Sequence, residues 1–158
     1  NDKETLKQLD KYRNSEVLEI SNSRDKYFDK ICKHIFKFGG MIIVIDYGYK
    51  NQPGHFTLQS VYNNKKSNIL DNIGMQDITS LVDFNKLIDL GKKNNLKIDQ
   101  FSSQREFLLN NGIKERENKI LNIANNKQRI MIQKGVKRII DKKDMGNLFK
   151  VLILSKWN

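Results

Sequence analysis

The residues able to do chemistry in this chain gather in three phrases. Asp46-Tyr47-Gly48 ends an unbroken apolar run, Thr57 and Gln59 flank Leu58, and Asp77 and Thr79 flank Ile78. A carboxylate at Asp46 can order a guanidinium or a loop through charge-assisted hydrogen bonds, or it can cap local backbone amides. Tyr47 can line a substrate pocket or cover the core. Thr57 and Gln59 can offer polar groups to a bound peptide or face water on a surface hairpin. Asp77 and Thr79 have less structural excuse, which makes them the better functional candidates. His55 is a lone loop histidine and reads as incidental rather than as a base. Cys32 lies beside a helical apolar stripe with no histidine spaced to activate it, so it reads as a packed thiol.

The composition limits what these phrases can serve. The chain has 158 residues and 38% hydrophobic content, enough for one domain with a core. Its 29 Lys and Arg against 18 Asp and Glu give a formal net charge of +11. The lysines are scattered with few aromatics among them, and Asn and Ile are frequent too, as AT-rich coding favours. A biased surface is therefore expected rather than a nucleic-acid interface. One cysteine excludes an internal disulfide, fits a reducing compartment, and with two unspaced histidines leaves no metal site. No apolar run approaches the roughly 18 residues of a membrane span. The chain opens at Asn1 in a charged phrase, and residues 1–16 read as a polar N-terminal segment of a fragment.

The elements that must position the three phrases follow an α/β pattern. Residues 17–20 suggest a brief strand. Ser21 or Ser23 then caps a helix to about Phe38, with Phe28, Ile31, Ile35 and Phe38 on its apolar face and Gly39 ending it. Residues 41–45 form a continuous apolar run, expected to be a strand buried on both faces, with Asp46-Tyr47-Gly48 at its carboxyl end, where α/β sheets bind ligands. A long loop follows over about 47–82. Asp83 caps a helix running to about Asn94, with Val82 and Leu87 as a hydrophobic staple. Residues 96–101 alternate like a strand. Ser103 and Glu106 form a capping box for a helix that stops at Gly112. A long helical pattern over 114–141, broken near Asn125-Asn126 or Gly135, leads to a turn at Met145-Gly146 and a last strand over 148–154.

This ordered set of phrases resembles the C-terminal half of the MidA family of S-adenosylmethionine-dependent methyltransferases, known in mitochondria as a complex I assembly factor. The matching words are Gly39-Gly40 through Asp46-Tyr47-Gly48, Thr57-Leu58-Gln59, Asp77-Ile78-Thr79 and Val82-Asp83-Phe84. Further on come Gln104, Phe107-Leu108, Gly112-Ile113, Met145-Gly146 and Phe149-Lys150-Val151-Leu152. The resemblance implies an α/β fold, the C-terminal part of a class I (Rossmann-like) methyltransferase sheet with a helical insertion over 103–142. Residues 17–158 would be the C-terminal half of that domain. Residues 41–45 would be its fifth strand, 97–101 its sixth, and 149–154 its seventh, antiparallel to its neighbours.

The resemblance further implies transfer of a methyl group from S-adenosyl-L-methionine to a protein arginine, with a respiratory complex I subunit as the candidate acceptor. The setting would be a bacterial cytoplasm or the mitochondrial matrix. Asp46 and Asp77 would be the catalytic acids, and Tyr47, Thr57, Gln59 and Thr79 the substrate-binding residues. The family's glycine-rich loop, ribose acid and Asn-Glu motif have no counterpart in these residues, and Gly48 and Gly54 make no G-x-G-x-x-G turn. Cofactor-binding residues are therefore not assigned, and the chain by itself is expected to be inactive and not to bind the cofactor. A strand at 41–45 without its fourth-strand neighbour would be an open edge, prone to homodimerise or aggregate. The rival reading is a non-enzymatic protein-binding module, a truncated or degenerate relative.

Overall fold

The computed structural model describes residues 17–157, so residues 1–16 lie outside the described region. Its centre is a four-stranded sheet formed by β1 (Gly40–Tyr49), β5 (Val82–Asp83), β6 (Lys97–Ser103) and β7 (Phe149–Lys156), in the order β5-β1-β7-β6. β7 runs antiparallel to both β1 and β6, while β5 is parallel to β1. β1 and β6 therefore point the same way with the last strand reversed between them. That is the arrangement the resemblance implies for the fifth, seventh and sixth strands.

One face of this sheet is packed. α1 (Asn22–Phe38) and α2 (Phe84–Lys93) bring Phe28, Cys32, Phe84, Leu87 and Leu90 against Leu152 and Leu154 of β7, with Ile42 and Val44 of β1 beside them. Cys32 is fully buried, and burial pushes its thiol up to about 11, which makes it inert packing. Phe38 departs from the expected stripe. It is exposed on the last turn of α1, with its ring tilted against that of His34 at 4.7 Å between centres.

The other face of β1 contradicts the expectation of burial on both sides. Met41, Ile43, Ile45 and Tyr47 are all exposed, Ile43 by 54%. Pleating sends alternate residues to opposite faces, and among the described residues no element covers this one. Apart from Gly48 and Tyr49, which pair with Val82 and Asp83, the outer edge of β1 also has no partner strand among them. β1 runs on to Tyr49, so Asp46 lies inside the strand and Gly48-Tyr49 forms its carboxyl end.

Two further expectations are revised, and the break expected in the last helical pattern falls at the first of its two places. Residues 17–20 form no strand. The stretch after β1 holds a small antiparallel sheet, β3-β2-β4, made of β2 (Gln59–Tyr62), β3 (Lys65–Ser67) and β4 (Asp77–Thr79). The helical pattern over 114–141 divides into α4 (Ile113–Leu121) and α5 (Asn126–Ile140), since Asn125 and Gln128 form a capping box that starts a new helix. Gly135 causes no break, and α5 passes straight through it.

α3 (Gln104–Asn110) opens as expected. The Ser103 hydroxyl accepts from the Glu106 amide, and the Glu106 carboxylate accepts in return from the Ser103 amide at 2.9 Å. Ser103→Ala is expected to cost about 1 kcal/mol in urea melts, typical for a lost N-cap. Ser102→Ala should cost much less, and equal losses would place the helix start elsewhere. α6 (Met145–Leu148) is a single turn leading into β7, with Gly146 pressed on the backbone of Ile140 and Asp141.

Candidate functional site

The carboxyl end of β1 carries Asp46 and Tyr47, and the segment that leaves it carries the other sequence-predicted residues. The chain leaves the sheet at Tyr49, makes the β2–β4 flap, and returns at Val82 beside Gly48. The flap thus hangs from the end of the strand that carries Asp46 and Tyr47. Within it Gln59 of β2 is registered opposite Thr79 of β4, and Val61 opposite Asp77. Directly opposed residues share a sheet face, as do residues two apart. Gln59, Asp77 and Thr79 therefore stand together on one face, all exposed. Asp46 and Tyr47 belong to the other sheet, so the predicted site divides into two groups on two sheets.

Each group has its own local chemistry. Asp46 is exposed, and one of its carboxylate oxygens accepts from the Tyr47 amide at 2.7 Å. Asp46 is registered opposite Lys150; burial holds the Lys150 ammonium below the ordinary lysine range, an effect partly offset by Glu106. The Tyr47 ring lies 3.9 Å from that of Phe149, centre to centre, and is 39% exposed. Thr57 is different, because it is buried and its polar atoms are engaged. Its hydroxyl donates to Glu19 and accepts from the Leu81 amide, while its own amide donates to Glu19 at 2.8 Å.

Glu19 is the residue that sequence reasoning missed. Its carboxylate also accepts from the Leu58 amide at 3.0 Å, so it clasps the first leg of the flap while Thr57 holds the second. No local signal reveals this link, which spans 38 residues. Glu19→Gln would keep one oxygen for the Thr57 and Leu58 amides but turn an NH2 toward the Thr57 hydroxyl, which now donates to a carboxylate oxygen. The loss is expected to be about 2 kcal/mol, the scale of hydrogen bonds to a charged group. It should appear as faster amide hydrogen exchange over residues 57–81 with α1 and β7 still protected. Uniform loss of protection would mean that the clasp supports the whole fold.

Behind the flap lies a buried polar cluster. Asp83 caps α2 by accepting from the Lys86 amide at 3.1 Å and from Gln52 at 3.4 Å. Burial raises its carboxyl above the ordinary range, against the lowering pull of the Lys86 amide and the Arg24 charge. Burial likewise pushes the Tyr49 phenol up to about 12, helped by the charge of Asp83. These groups hold the base of the flap rather than face an opening.

A cradle for a nucleoside cofactor is not formed by these residues. The left-handed glycines nearest the sheet, Gly39 and Gly40, lie at the amino end of β1. Gly54 and Gly74 stand in open space, where an added methyl group would meet no atom within 4 Å. No group of three His, Cys, Asp or Glu among the described residues can hold a metal ion. No helix of the described residues is long and apolar enough to cross a membrane.

A reversed strand between two parallel ones, with the polar residues at their carboxyl ends, is the end of a class I methyltransferase sheet. Residues 1–102 match the family described as "Putative S-adenosyl-L-methionine-dependent methyltransferase", and the chain belongs to that family. It is also 30% identical over 137 residues to the "Protein arginine methyltransferase NDUFAF7 homolog, mitochondrial" of Caenorhabditis elegans, covering 86% of this chain and 32% of the relative. Two crystal structures from Burkholderia thailandensis share the fold. An uncharacterized protein matches with a TM-score of 0.81 at 23% identity, over 96% of this chain and 43% of its own. A likely methyl transferase of the same superfamily, bound to S-adenosyl-homocysteine, matches with a TM-score of 0.79 at 22% identity, over 95% and 41%. The chain thus spans about a third of the curated relative and about two fifths of each of these structures.

Proposed function

We propose that this chain supplies the substrate side of an S-adenosylmethionine-dependent methyltransferase acting on arginine in a protein. The observation that carries the reading is the pair of exposed acids, Asp46 on β1 and Asp77 on the flap that hangs from its end. The name of the nematode relative supports the choice of arginine. Methyl transfer to nitrogen needs the acceptor held in line with the methyl group, and positioning plus electrostatics supply most of the catalysis. In this reading Asp46 on the main sheet holds the guanidinium through charge-assisted hydrogen bonds, and Asp77 joins it when the flap folds over the bound peptide. Tyr47 walls the pocket, and Gln59 and Thr79 present hydrogen-bonding groups to the flanking peptide. Thr57 acts by tying the two legs of the flap together. When bound, S-adenosylmethionine supplies the methyl group; the residues described here form no cradle for it on their own. A complex I subunit is the proposed acceptor, in mitochondria or a bacterial cytoplasm.

The test is methyl transfer to an arginine peptide by the full native protein carrying Asp46→Asn or Asp77→Asn. Both substitutions keep shape and remove charge at exposed positions. Turnover is expected to fall roughly a hundredfold, the usual scale for losing an electrostatic contact to the reacting group, with melting temperature almost unchanged. A variant that loses stability but keeps turnover per folded molecule would show that its acid is a structural cap.

A further inference from the structure

The helical insertion carries a surface that includes none of the residues of the proposed site. α4 and α5 pack together across the short connection 122–125. Between them lies an open groove of about 400 Å³ lined by Ile120, Ile123, Ala124, Gln128, Met131 and Ile132. Ile123 is 87% exposed and Met131 66%, with Ile130 exposed beside them. Single exposed apolar residues are ordinary, but a cluster lining one concavity marks an interaction site. The family match ends at residue 102 and does not include this region.

The charge around the groove is one-sided. Residues 113–143 hold ten Lys and Arg against three Asp and Glu, a net of +7 within a chain of +11. Of those acids, Glu117 is buried in a pair with Lys114 at 2.8 Å, and Asp141 accepts from the Lys143 amide. Neither is turned to the groove. Lys127 stands one helical turn before Met131 and Lys134 one turn after it, and Lys119 adjoins Ile120 on α4, which places them beside the groove. All three are exposed. Arg129 is tied to the lip as well, donating to the Ala124 carbonyl at 3.1 Å.

We propose that this groove docks an acidic amphipathic helix of a partner protein. Its apolar side chains would seat between α4 and α5, and its carboxylates would meet the flanking lysines, in the manner of a helix lying in a groove. A second copy of this chain is disfavoured, because two strongly basic surfaces would face each other. A lipid surface is disfavoured by shape, since the apolar residues line a recess between two helices, whereas membrane-surface helices offer a continuous apolar ridge.

The probe is a short fluorescent helical peptide with leucines on one face and glutamates elsewhere, titrated into the 158-residue chain by anisotropy. Control peptides carry lysine for glutamate or serine for leucine. The acidic apolar peptide is expected to bind at least roughly tenfold more tightly than either control, and less tightly as salt rises. Ile123→Asp and Met131→Asp should each weaken it about tenfold with little change in melting temperature, since both positions are exposed. Lys119→Glu combined with Lys127→Glu should shift the preference to the lysine peptide. Equal binding of all three peptides, or indifference to these variants, would overturn the proposal. So would capture by phosphatidylserine vesicles in preference to the peptide, or loss of binding when the full native protein replaces this chain.

Discussion

Gly48→Ala is expected to destabilise the chain by about 3 kcal/mol, at the upper end for overpacking a filled core. A methyl group at Gly48 would lie 2.5 Å from two carbons of the Phe84 ring and 2.5 Å from the Val82 carbonyl. Phe84 is fully buried and contacts Phe101, so its ring has nowhere to retreat. The Val82 carbonyl belongs to β5, which pairs with Gly48 itself. The strain must therefore separate β5 from β1 or push α2 off the sheet. Either movement loosens the return leg of the flap. Urea melts of Gly48→Ala should show the loss, and Gly54→Ala, where a methyl group meets nothing, is the control for an open loop. That control carries only the cost of its left-handed backbone. If Gly48→Ala melts like the parent chain, β5 does not pair with β1 as described.

What could be read from the sequence was what has a local cause. The Asp83 cap, the Ser103–Glu106 box and the Gly39 stop each depend on a few adjacent residues, and all three form. The order of the three long strands was legible through the resemblance, because the matching words fall in sequence along the chain. What was not legible depends on partners far along the chain. The clasp from Glu19 to Thr57 joins residues with no common pattern. β2, β3 and β4 are only three or four residues each, too short for alternation to declare them. The run at 41–45 misled for a related reason. An apolar residue on each face predicts burial on each face, yet whether a face is covered depends on what lies opposite it. The site divided likewise: the sequence placed Asp46 and Asp77 in one neighbourhood, and topology set them on different sheets.

That uncovered face makes a second large effect predictable. At high concentration the chain is expected to self-associate through β1, and Ile43→Lys should shift it toward monomer. Met41, Ile43 and Ile45 form an exposed apolar row beside a backbone edge that no strand pairs along residues 40–47 among those described. Such an edge templates pairing with another copy, and natural sheets commonly block it with lysine. Ile43 points away from the core, so a lysine there can reach water and should shift the melting temperature by only a few degrees, as surface substitutions do. Ile42 is the necessary control. It packs against the core on the opposite face, so Ile42→Lys would bury an unpaired charge and should abolish cooperative unfolding. Light scattering across a concentration series, with thermal melts of the same samples, separates the two. Self-association unchanged by Ile43→Lys would mean that contact forms elsewhere. A parent chain that stays monodisperse throughout would mean that the edge of β1 is already protected.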